Sequence, residues 1–173
     1  MFNVGDKVIY KSFGVCIVEQ TDYVLESFGN KPAQTPQRTY YRLRSLSAKG
    51  GQAYVPSDKA ESLMRPVLAR EQAEELARQL EAIEPEDYVE KNMHTTDQHF
   101  REELAKHDCL TTMRVARTME ARIAQQESVG HKPSGLYQRL LEAAHNQVRE
   151  EYAAALGISQ EEASEYLKHF ATA

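Results

Sequence analysis

No stretch of this sequence is apolar over the length needed to cross a membrane. A transmembrane helix takes about 20 consecutive apolar residues, and no run in the chain approaches that length. The N-terminus also lacks a charged start followed by an apolar segment, which is the pattern of an export signal. We therefore expect a cytoplasmic protein with no membrane partner.

Cysteine is scarce as well. Only Cys16 and Cys109 are present, each within an apolar pattern. Their separation fits no metal-binding or redox motif. We predict two buried thiols and no disulfide.

The signatures of common catalytic sites are absent from the sequence. Its glycines fit no nucleotide-binding spacing, no Ser lies in a Gly-x-Ser-x-Gly turn, and neither Cys lies in a nucleophile signature. We expect a protein that is not an enzyme and that uses no cofactor, metal or small-molecule substrate.

One group of residues could imitate a metal site. His99, Glu103 and His107 are spaced by four and therefore share one helix face. Imidazole and carboxylate suit zinc, but three ligands on successive turns of a straight helix span too much length to converge on one ion. A solvated polar face is the favoured interpretation, and a small metal-dependent enzyme is an alternative.

The composition changes near Leu68, which predicts two domains. Residues 1–66 hold nine Lys or Arg against six Asp or Glu, whereas residues 67–173 hold twelve against twenty. The net charge of −5 argues against a protein that coats nucleic acid by bulk attraction. Any DNA contact must be local or assisted by a partner.

Alternating apolar and polar residues predict an antiparallel sheet in the first part. We expect strands at about residues 6–10, 15–20, 38–46 and 51–55, a hairpin turn at 48–51 and an exposed loop at 27–36. Tyr41 and Leu43 should face the core, while Arg42 and Arg44 face water. Ser57 should cap a short turn that covers the open end of the sheet.

Apolar residues at spacings of three and four predict a bundle of helices in the second part. The stripes run over residues 73–83, 89–104, 110–123, 136–152 and 163–170. Gly157 should end the fourth helix, and Ser159 with Glu162 should form a capping box for the fifth. The predicted fold class is α+β, a small sheet followed by an all-α bundle.

The N-terminal motifs resemble those of a known family. They are Phe2-Asn-Val-Gly-Asp-Lys-Val-Ile-Tyr10, Gly14-Val-Cys-Ile-Val-Glu19 and Val55-Pro56 before Ala60-Glu61. This pattern resembles the start of the CarD family of bacterial transcription regulators, and a related module occurs in the transcription-repair coupling factor. The resemblance implies a Tudor-like antiparallel β barrel or rolled sheet over residues 1–66 that docks on RNA polymerase.

Weaker matches to the same family extend through the helical part. They are Glu84-Pro-Glu-Asp-Tyr88, Glu102-Glu-Leu-Ala-Lys-His-Asp108, Arg117 with Arg122, Ser134 with Arg139, and Leu156-Gly-Ile-Ser-Gln-Glu-Glu162. Tyr88 stands where the relatives place Trp, and the spacing from it to Asp108 is longer than theirs. The resemblance implies that residues 67–173 form a helical domain that contacts DNA.

The resemblance also implies where polymerase binds. In this family the first domain contacts the polymerase β subunit from sheet to sheet, with main-chain hydrogen bonds giving affinity. The positions expected to take part are Val24, Arg42, Arg44, Ala53 and Tyr54. An ordinary charged surface is the alternative explanation for Arg42, Arg44 and the neighbouring Lys49.

The expected DNA-contacting residues lie in the second domain. They are Tyr88, Arg117, Arg122, Lys132 and Arg139. In the family an aromatic side chain wedges into the minor groove at the upstream edge of the melted promoter, while basic residues hold phosphates. The alternative is that Tyr88 packs at a helix start and the arginines pair with nearby glutamates.

These inferences imply a non-enzymatic bacterial transcription regulator. It would bind the polymerase β subunit and promoter DNA near the upstream edge of the melted region, and so stabilise the open complex. A polymerase-binding or other protein-interaction adaptor without DNA contact is the alternative, because the second part of the chain is acidic.

Overall fold

The chain divides into two compact units. A computed structural model describes residues 1–11, 13–24, 27–28, 31–32, 38–47 and 50–171. The units are Met1–Val67, here called the β unit, and Leu68–Ala173, here called the helical unit. The first is an antiparallel sheet and the second consists of helices, so the predicted α+β fold class is confirmed.

The β unit is built on a five-stranded antiparallel sheet. Its strands are β1 Lys7–Tyr10, β2 Gly14–Val24, β5 Thr39–Ser45, β6 Gln52–Pro56 and β7 Met64–Pro66, in the order β6-β5-β2-β1-β7. Two further short strands, β3 Ser27–Phe28 and β4 Lys31–Pro32, pair with each other. A 3-10 turn, Ser57–Lys59, and helix α1, Ala60–Leu63, join β6 to β7. Among the described residues, β6 and β7 are therefore the edges of the main sheet.

One face of this sheet forms the core of the β unit. Tyr41 and Leu43 of β5 are buried, while Arg44 is exposed and Arg42 is half-buried on the other face. This confirms the predicted alternation, which follows because successive strand side chains point to opposite faces. The remaining buried members are Val8, Cys16, Val18, Ala53, Val55, Ala60 and Met64. The fully buried Cys16 thiol agrees with the prediction.

Three features of the β unit differ from the sequence prediction. The segment predicted as a loop contains the paired strands β3 and β4, and β7 was not expected because its three residues include Pro66. The side chain of Ser57 makes no capping hydrogen bond. The predicted hairpin turn includes Ala48 and Lys49, and both lie outside the described residues.

Five helices form the part of the helical unit that the structure describes, residues 68–171. They are α2 Arg70–Arg78, α3 Met93–Ala105, α4 Cys109–Ser128, α5 Gly135–Leu156 and α6 Gln160–Ala171. A 3-10 turn, Leu80–Ala82, follows α2, and residues 83–92 then run without helix or strand to α3. None of the helices in the described ranges is long and apolar enough to cross a membrane.

Within residues 68–171, the buried apolar side chains form two clusters. One joins α2, α4, α5 and α6 through Ala73, Ala77, Ile83, Cys109, Met113, Val148, Tyr152, Leu156 and Ala163. The other joins α3, α4 and α5 through Phe100, Leu104, Val115, Ala116, Met119, Leu140 and Ala144. Val89, Met93 and Leu110 were predicted on buried stripes, but they are 85%, 43% and 41% exposed. Apolar spacing alone did not predict burial correctly at these three positions. Val89 precedes α3, and Met93 and Leu110 lie in the exposed first turns of α3 and α4.

Two predicted helix boundaries are confirmed. Gly157 ends α5 with φ of 69°, a left-handed conformation that costs glycine little. The Ser159 N–H donates to Glu162 Oε2 at 2.8 Å, and the Glu162 N–H donates to Ser159 Oγ at 3.1 Å. This reciprocal pair is the capping box expected at the start of α6.

Tyr152 generates a stability prediction. It is fully buried, and its hydroxyl donates to the Ala73 carbonyl oxygen at 2.8 Å, which ties α5 to α2. Burial raises the pKa of this phenol, so the hydroxyl stays protonated. We expect Tyr152→Phe to lower the free energy of unfolding by about 1 kcal/mol, the usual net value of one such bond. Urea denaturation measures this, with Tyr166→Phe as a control in the same cluster. Equal stability for Tyr152→Phe and the parent protein would contradict the assigned role of the bond.

Candidate partner-binding surfaces of the two units

The solvent face of the sheet carries an aromatic and basic cluster. The ring centroids of Tyr23 and Tyr54 lie 5.3 Å apart, and the guanidinium carbon of Arg42 lies 5.7 Å from the Tyr23 centroid. Glu19 Oε1 accepts a hydrogen bond from Arg44 Nε at 2.8 Å, and Glu19 Oε2 lies 3.5 Å from Arg42 Nε. We call Glu19, Tyr23, Arg42, Arg44 and Tyr54 the sheet-face cluster. Its two arginines are held in place by one carboxylate.

Irregularities in β2 bring this cluster together. The pairs with β5 are Val18–Leu43, Gln20–Arg42 and Tyr23–Tyr40, with a register shift at each step. Asp22 lies between them with φ of 54°, in the left-handed region. A bulge re-aims the side chains that follow it, so Glu19 and Tyr23 both lie on the face of Arg42. The sequence prediction missed Glu19 and Tyr23, since strand periodicity carries no signal for a bulge.

The outer edge of β6 has free backbone groups. The Ser45 N–H donates to the opposed Gly51 carbonyl at 2.9 Å, so this pair is hydrogen-bonded. Bonded and non-bonded pairs alternate along an antiparallel ladder, which makes Gln52 and Tyr54 members of non-bonded pairs with β5. Their N–H and C=O groups therefore point away from β5. Among the described residues β6 pairs with β5 alone, so this edge can accept another strand.

The structure brings together only some of the predicted polymerase-contacting residues. Arg42, Arg44 and Tyr54 belong to the sheet-face cluster. Val24 is half-buried at the end of β2, opposite Thr39. Ala53 is a correction, because it is 7% exposed and packs in the core of the β unit. Its side chain cannot contact a partner without unfolding the sheet.

In the helical unit, the irregular segment before α3 is fastened to α4 by its backbone. The Glu86 N–H donates to Thr118 Oγ1 at 2.8 Å, and Thr118 in turn donates to the Arg114 carbonyl at 2.7 Å. Arg122 donates to the Tyr88 carbonyl oxygen. Two side chains of α4, one turn apart, therefore fix the path of residues 86–88.

The side chain of Tyr88 is stacked on α3. Its ring lies parallel to the His99 imidazole, with centroids 3.8 Å apart and planes inclined by 11°. The Phe100 ring lies perpendicular to it, with an interplanar angle of 90° and centroids 5.9 Å apart. His99 Nε2 is hydrogen-bonded to Glu86 Oε1 at 2.6 Å. Tyr88 is half-buried, so part of its side chain is open to solvent.

The Arg122 side chain, which was predicted to bind phosphate, makes contacts within the helical unit. Its guanidinium carbon lies 5.0 Å from the Phe100 ring centroid and 5.6 Å from that of Tyr137, in addition to the bond to Tyr88. Cation–π contacts with two rings and a bond to a main-chain carbonyl engage this half-buried group. Arg122 therefore positions Tyr88.

The other basic residues predicted to contact DNA lie on α4 and at or before the first turns of α5. Arg117 Nη1 lies 3.5 Å from Glu120 Oε2, in a cleft between α4, α5 and α6. A hydrogen bond with His145, together with the Arg117 charge, lowers the pKa of Glu120, which stays ionised. Lys132 lies before α5 and Arg139 within it, and both are exposed. Of the five predicted residues, Tyr88 and Arg122 are in direct contact with each other.

The residues considered for a metal site are engaged in other contacts. His99 bonds Glu86 and stacks on Tyr88, while Glu103 accepts a bond from Lys106 at 2.6 Å. No group of three His, Cys, Asp or Glu side chains in the described part of the chain is arranged to hold a metal ion.

Comparison with known proteins identifies the β unit. Residues 2–68 match the family model described as CarD-like/TRCF RID domain, and no curated protein matches the chain. This domain is a non-enzymatic interaction module, and its presence supports interaction with RNA polymerase. The match covers the strands of the main sheet, including the open edge at β6 and the sheet-face cluster. The predicted resemblance is thus confirmed over residues 2–68, where the β unit matches a CarD-like RNA-polymerase-interacting domain.

Proposed function

We propose that this chain is a bacterial transcription regulator that joins the polymerase β subunit to promoter DNA and stabilises the open complex. The match of residues 2–68 to a polymerase-interacting domain is the observation that carries the proposal. The β unit serves as the polymerase-docking part, and the helical unit contacts DNA near the upstream edge of the melted region.

Docking to the β subunit uses the edge of β6 and the adjoining side chains. The outward backbone groups of Gln52 and Tyr54 can add a strand of the partner, with main-chain bonds giving affinity. The half-buried rings of Tyr23 and Tyr54 supply apolar area beside that edge. Arg42 and Arg44, held by Glu19, supply charge that selects the partner. Val24 lies at the end of β2, and Ala53 acts indirectly, because its buried side chain and its pairing with Leu43 hold β6 on the sheet.

Contact with DNA uses Tyr88 as the aromatic element. A phenol stacks at an opened base step, although with less area than the indole of the relatives. Lys132 and Arg139 are exposed and free to approach phosphates, and Arg117 offers a guanidinium at the rim of its cleft. Arg122 holds the Tyr88 segment in place. Base-step stacking and phosphate contacts together define orientation on the duplex.

Stabilisation of the open complex follows from linkage. A ligand that contacts polymerase and the distorted DNA better in the melted state than in the closed one shifts the balance toward melting. A difference of about 1 to 3 kcal/mol changes occupancy about 5- to 150-fold. Because docked polymerase supplies a high effective concentration, weak intrinsic DNA affinity suffices. The acidic net charge of the chain is therefore compatible with a DNA contact.

A second candidate is a polymerase-bound adaptor that does not touch DNA. Its support is the acidity of residues 67–173, with twenty Asp or Glu against twelve Lys or Arg. The two candidates share the polymerase contact. They differ in whether changes in the helical unit alter the lifetime of open promoter complexes.

The docking surface can be tested with Tyr54→Glu. The substitution removes the ring that packs on Tyr23 and places a carboxylate opposite Arg42, in a contact that loses water on binding, so we expect affinity for the β subunit to fall at least about tenfold. Titration calorimetry with full-length protein measures this. Val4→Glu is the matched control, since Val4 is 62% exposed and lies outside the sheet-face cluster. Unchanged affinity of folded Tyr54→Glu protein would place the docking surface elsewhere.

The aromatic contact can be tested with substitutions at position 88. We expect Tyr88→Ala to leave β-subunit affinity unchanged and to shorten open-complex half-life about tenfold, because base stacking contributes about 1–3 kcal/mol. Tyr88→Trp should lengthen the half-life, since an indole offers more stacking area. Half-lives are measured on one promoter with competitor DNA, and Val129→Ala, an exposed apolar residue at the end of α4, is the control. If Tyr88→Ala retains the parent half-life, the adaptor without DNA contact is the better account.

Phosphate contacts can be tested through salt dependence. We expect Lys132→Glu and Arg139→Glu each to shorten open-complex half-life, with an effect that diminishes as salt increases, because phosphate contacts release counterions. Arg78→Glu on α2 is the control for the change in charge, since Arg78 is exposed and pairs locally with Glu75. Identical salt dependence for all three variants and the parent protein would exclude phosphate contacts by Lys132 and Arg139.

A further inference from the structure

Two residues beside Tyr88 have no role in the function proposed so far. Glu86 and His99 are hydrogen-bonded at 2.6 Å, and the His99 ring is stacked on Tyr88 at 3.8 Å. Both side chains are about one-quarter exposed, at 27% and 25%. The pair therefore lies at the surface of the unit, directly behind the Tyr88 ring.

The backbone contacts of this segment do not determine where the ring points. Thr118 bonds the Glu86 N–H and Arg122 bonds the Tyr88 carbonyl, so both act on the main chain. The Tyr88 ring itself stacks on the face of His99, lies perpendicular to the Phe100 ring and packs at the margin of the buried cluster of α3, α4 and α5. Of these contacts, the stack on His99 is the one that covers a face of the ring at the surface of the unit.

His99 is itself held in orientation. Its Nε2 atom is fixed by Glu86, and its ring meets the Phe100 ring at 80° with centroids 4.8 Å apart. Arg122 is the other charged group at this cluster, and it lies over Phe100. A ring that is bonded at one end and packed on two sides offers a fixed plane for a neighbour to stack on.

We infer that Glu86 and His99 are positioning residues, which hold the Tyr88 ring ready to stack on an unpaired base step of promoter DNA. The inference rests on the proposed function. A free phenol loses rotational freedom when it stacks on a base, whereas a ring already held by His99 loses less. Preorganisation of this kind offsets the smaller stacking area of Tyr compared with Trp.

Substitutions at His99 separate its stacking on Tyr88 from its hydrogen bond to Glu86. His99→Phe keeps an aromatic face for Tyr88 and loses the bond to Glu86. His99→Gln keeps a polar group for Glu86 and loses the aromatic face, and His99→Ala loses both. If His99 positions the Tyr88 ring, the variant that retains an aromatic face, His99→Phe, should keep more activity than His99→Gln or His99→Ala.

Open-complex half-lives in a double-mutant cycle test the inference. We expect His99→Ala to shorten the half-life about three- to tenfold when Tyr88 is present and to have no effect in the Tyr88→Ala background. His99→Phe should restore most of the loss, His99→Gln should not, and Glu86→Gln should have an intermediate effect. Equal effects of His99→Ala in both backgrounds would overturn the inference, since the residues would then act independently.

A spectroscopic readout separates positioning from general support of the fold. Ring-current shifts of the Tyr88 protons in NMR spectra of the free protein report the stack with His99. We expect these shifts to collapse toward free-tyrosine values in His99→Ala and to recover in His99→Phe, with the α3 and α4 backbone signals unchanged. Unaltered Tyr88 shifts in His99→Ala would contradict a positioning role.

The half-lives of the Tyr88→Ala and His99→Ala variants distinguish failure of the proposed function from failure of this inference. If Tyr88→Ala itself leaves the half-life unchanged, the DNA contact is wrong and this inference falls with it. If Tyr88→Ala shortens the half-life and His99→Ala does not, only the positioning role of His99 is wrong.

Discussion

Burial of the sheet face that holds Tyr41 and Leu43 is the constraint on which the β unit depends. Because Tyr41 and Leu43 must point inward, Arg42 and Arg44 must point outward, and the ladder fixes Tyr54 opposite Arg42. The same alternation turns the backbone groups of Gln52 and Tyr54 away from β5. One packing requirement thus produces both a solvent-facing cluster and an adjoining open edge. These are the two components that strand addition needs.

The helical unit achieves order in an irregular segment by a different means. Residues 83–92 have no helix or strand, so their backbone groups need partners outside the segment. Thr118 and Arg122, four residues apart on α4, supply two of those partners. The segment then presents Tyr88 to α3, where His99 and Phe100 receive its ring. A short non-helical stretch can therefore carry a defined aromatic side chain at the surface.

The parts of the structure that were predictable follow from local patterns. Strand alternation gave the burial of Tyr41, and turn chemistry gave the helix end at Gly157 and the capping box at Ser159. The bulges of β2 were not predictable, because no sequence pattern indicates that Asp22 adopts a left-handed backbone conformation. The surroundings of Tyr88 depend on residues 11 to 34 positions away, such as His99 and Arg122. His99 was therefore interpreted as part of a solvated face, and Arg122 as a phosphate ligand.

The central claim is that one chain joins polymerase to the upstream edge of melted promoter DNA. Photo-crosslinking from a benzoylphenylalanine placed at Val89 tests it most directly, since that side chain is 85% exposed and adjoins an intact Tyr88. The account predicts a crosslink to DNA at the upstream edge that requires polymerase and disappears with Tyr54→Glu. A crosslink confined to protein, with the chain still bound to polymerase, would contradict it.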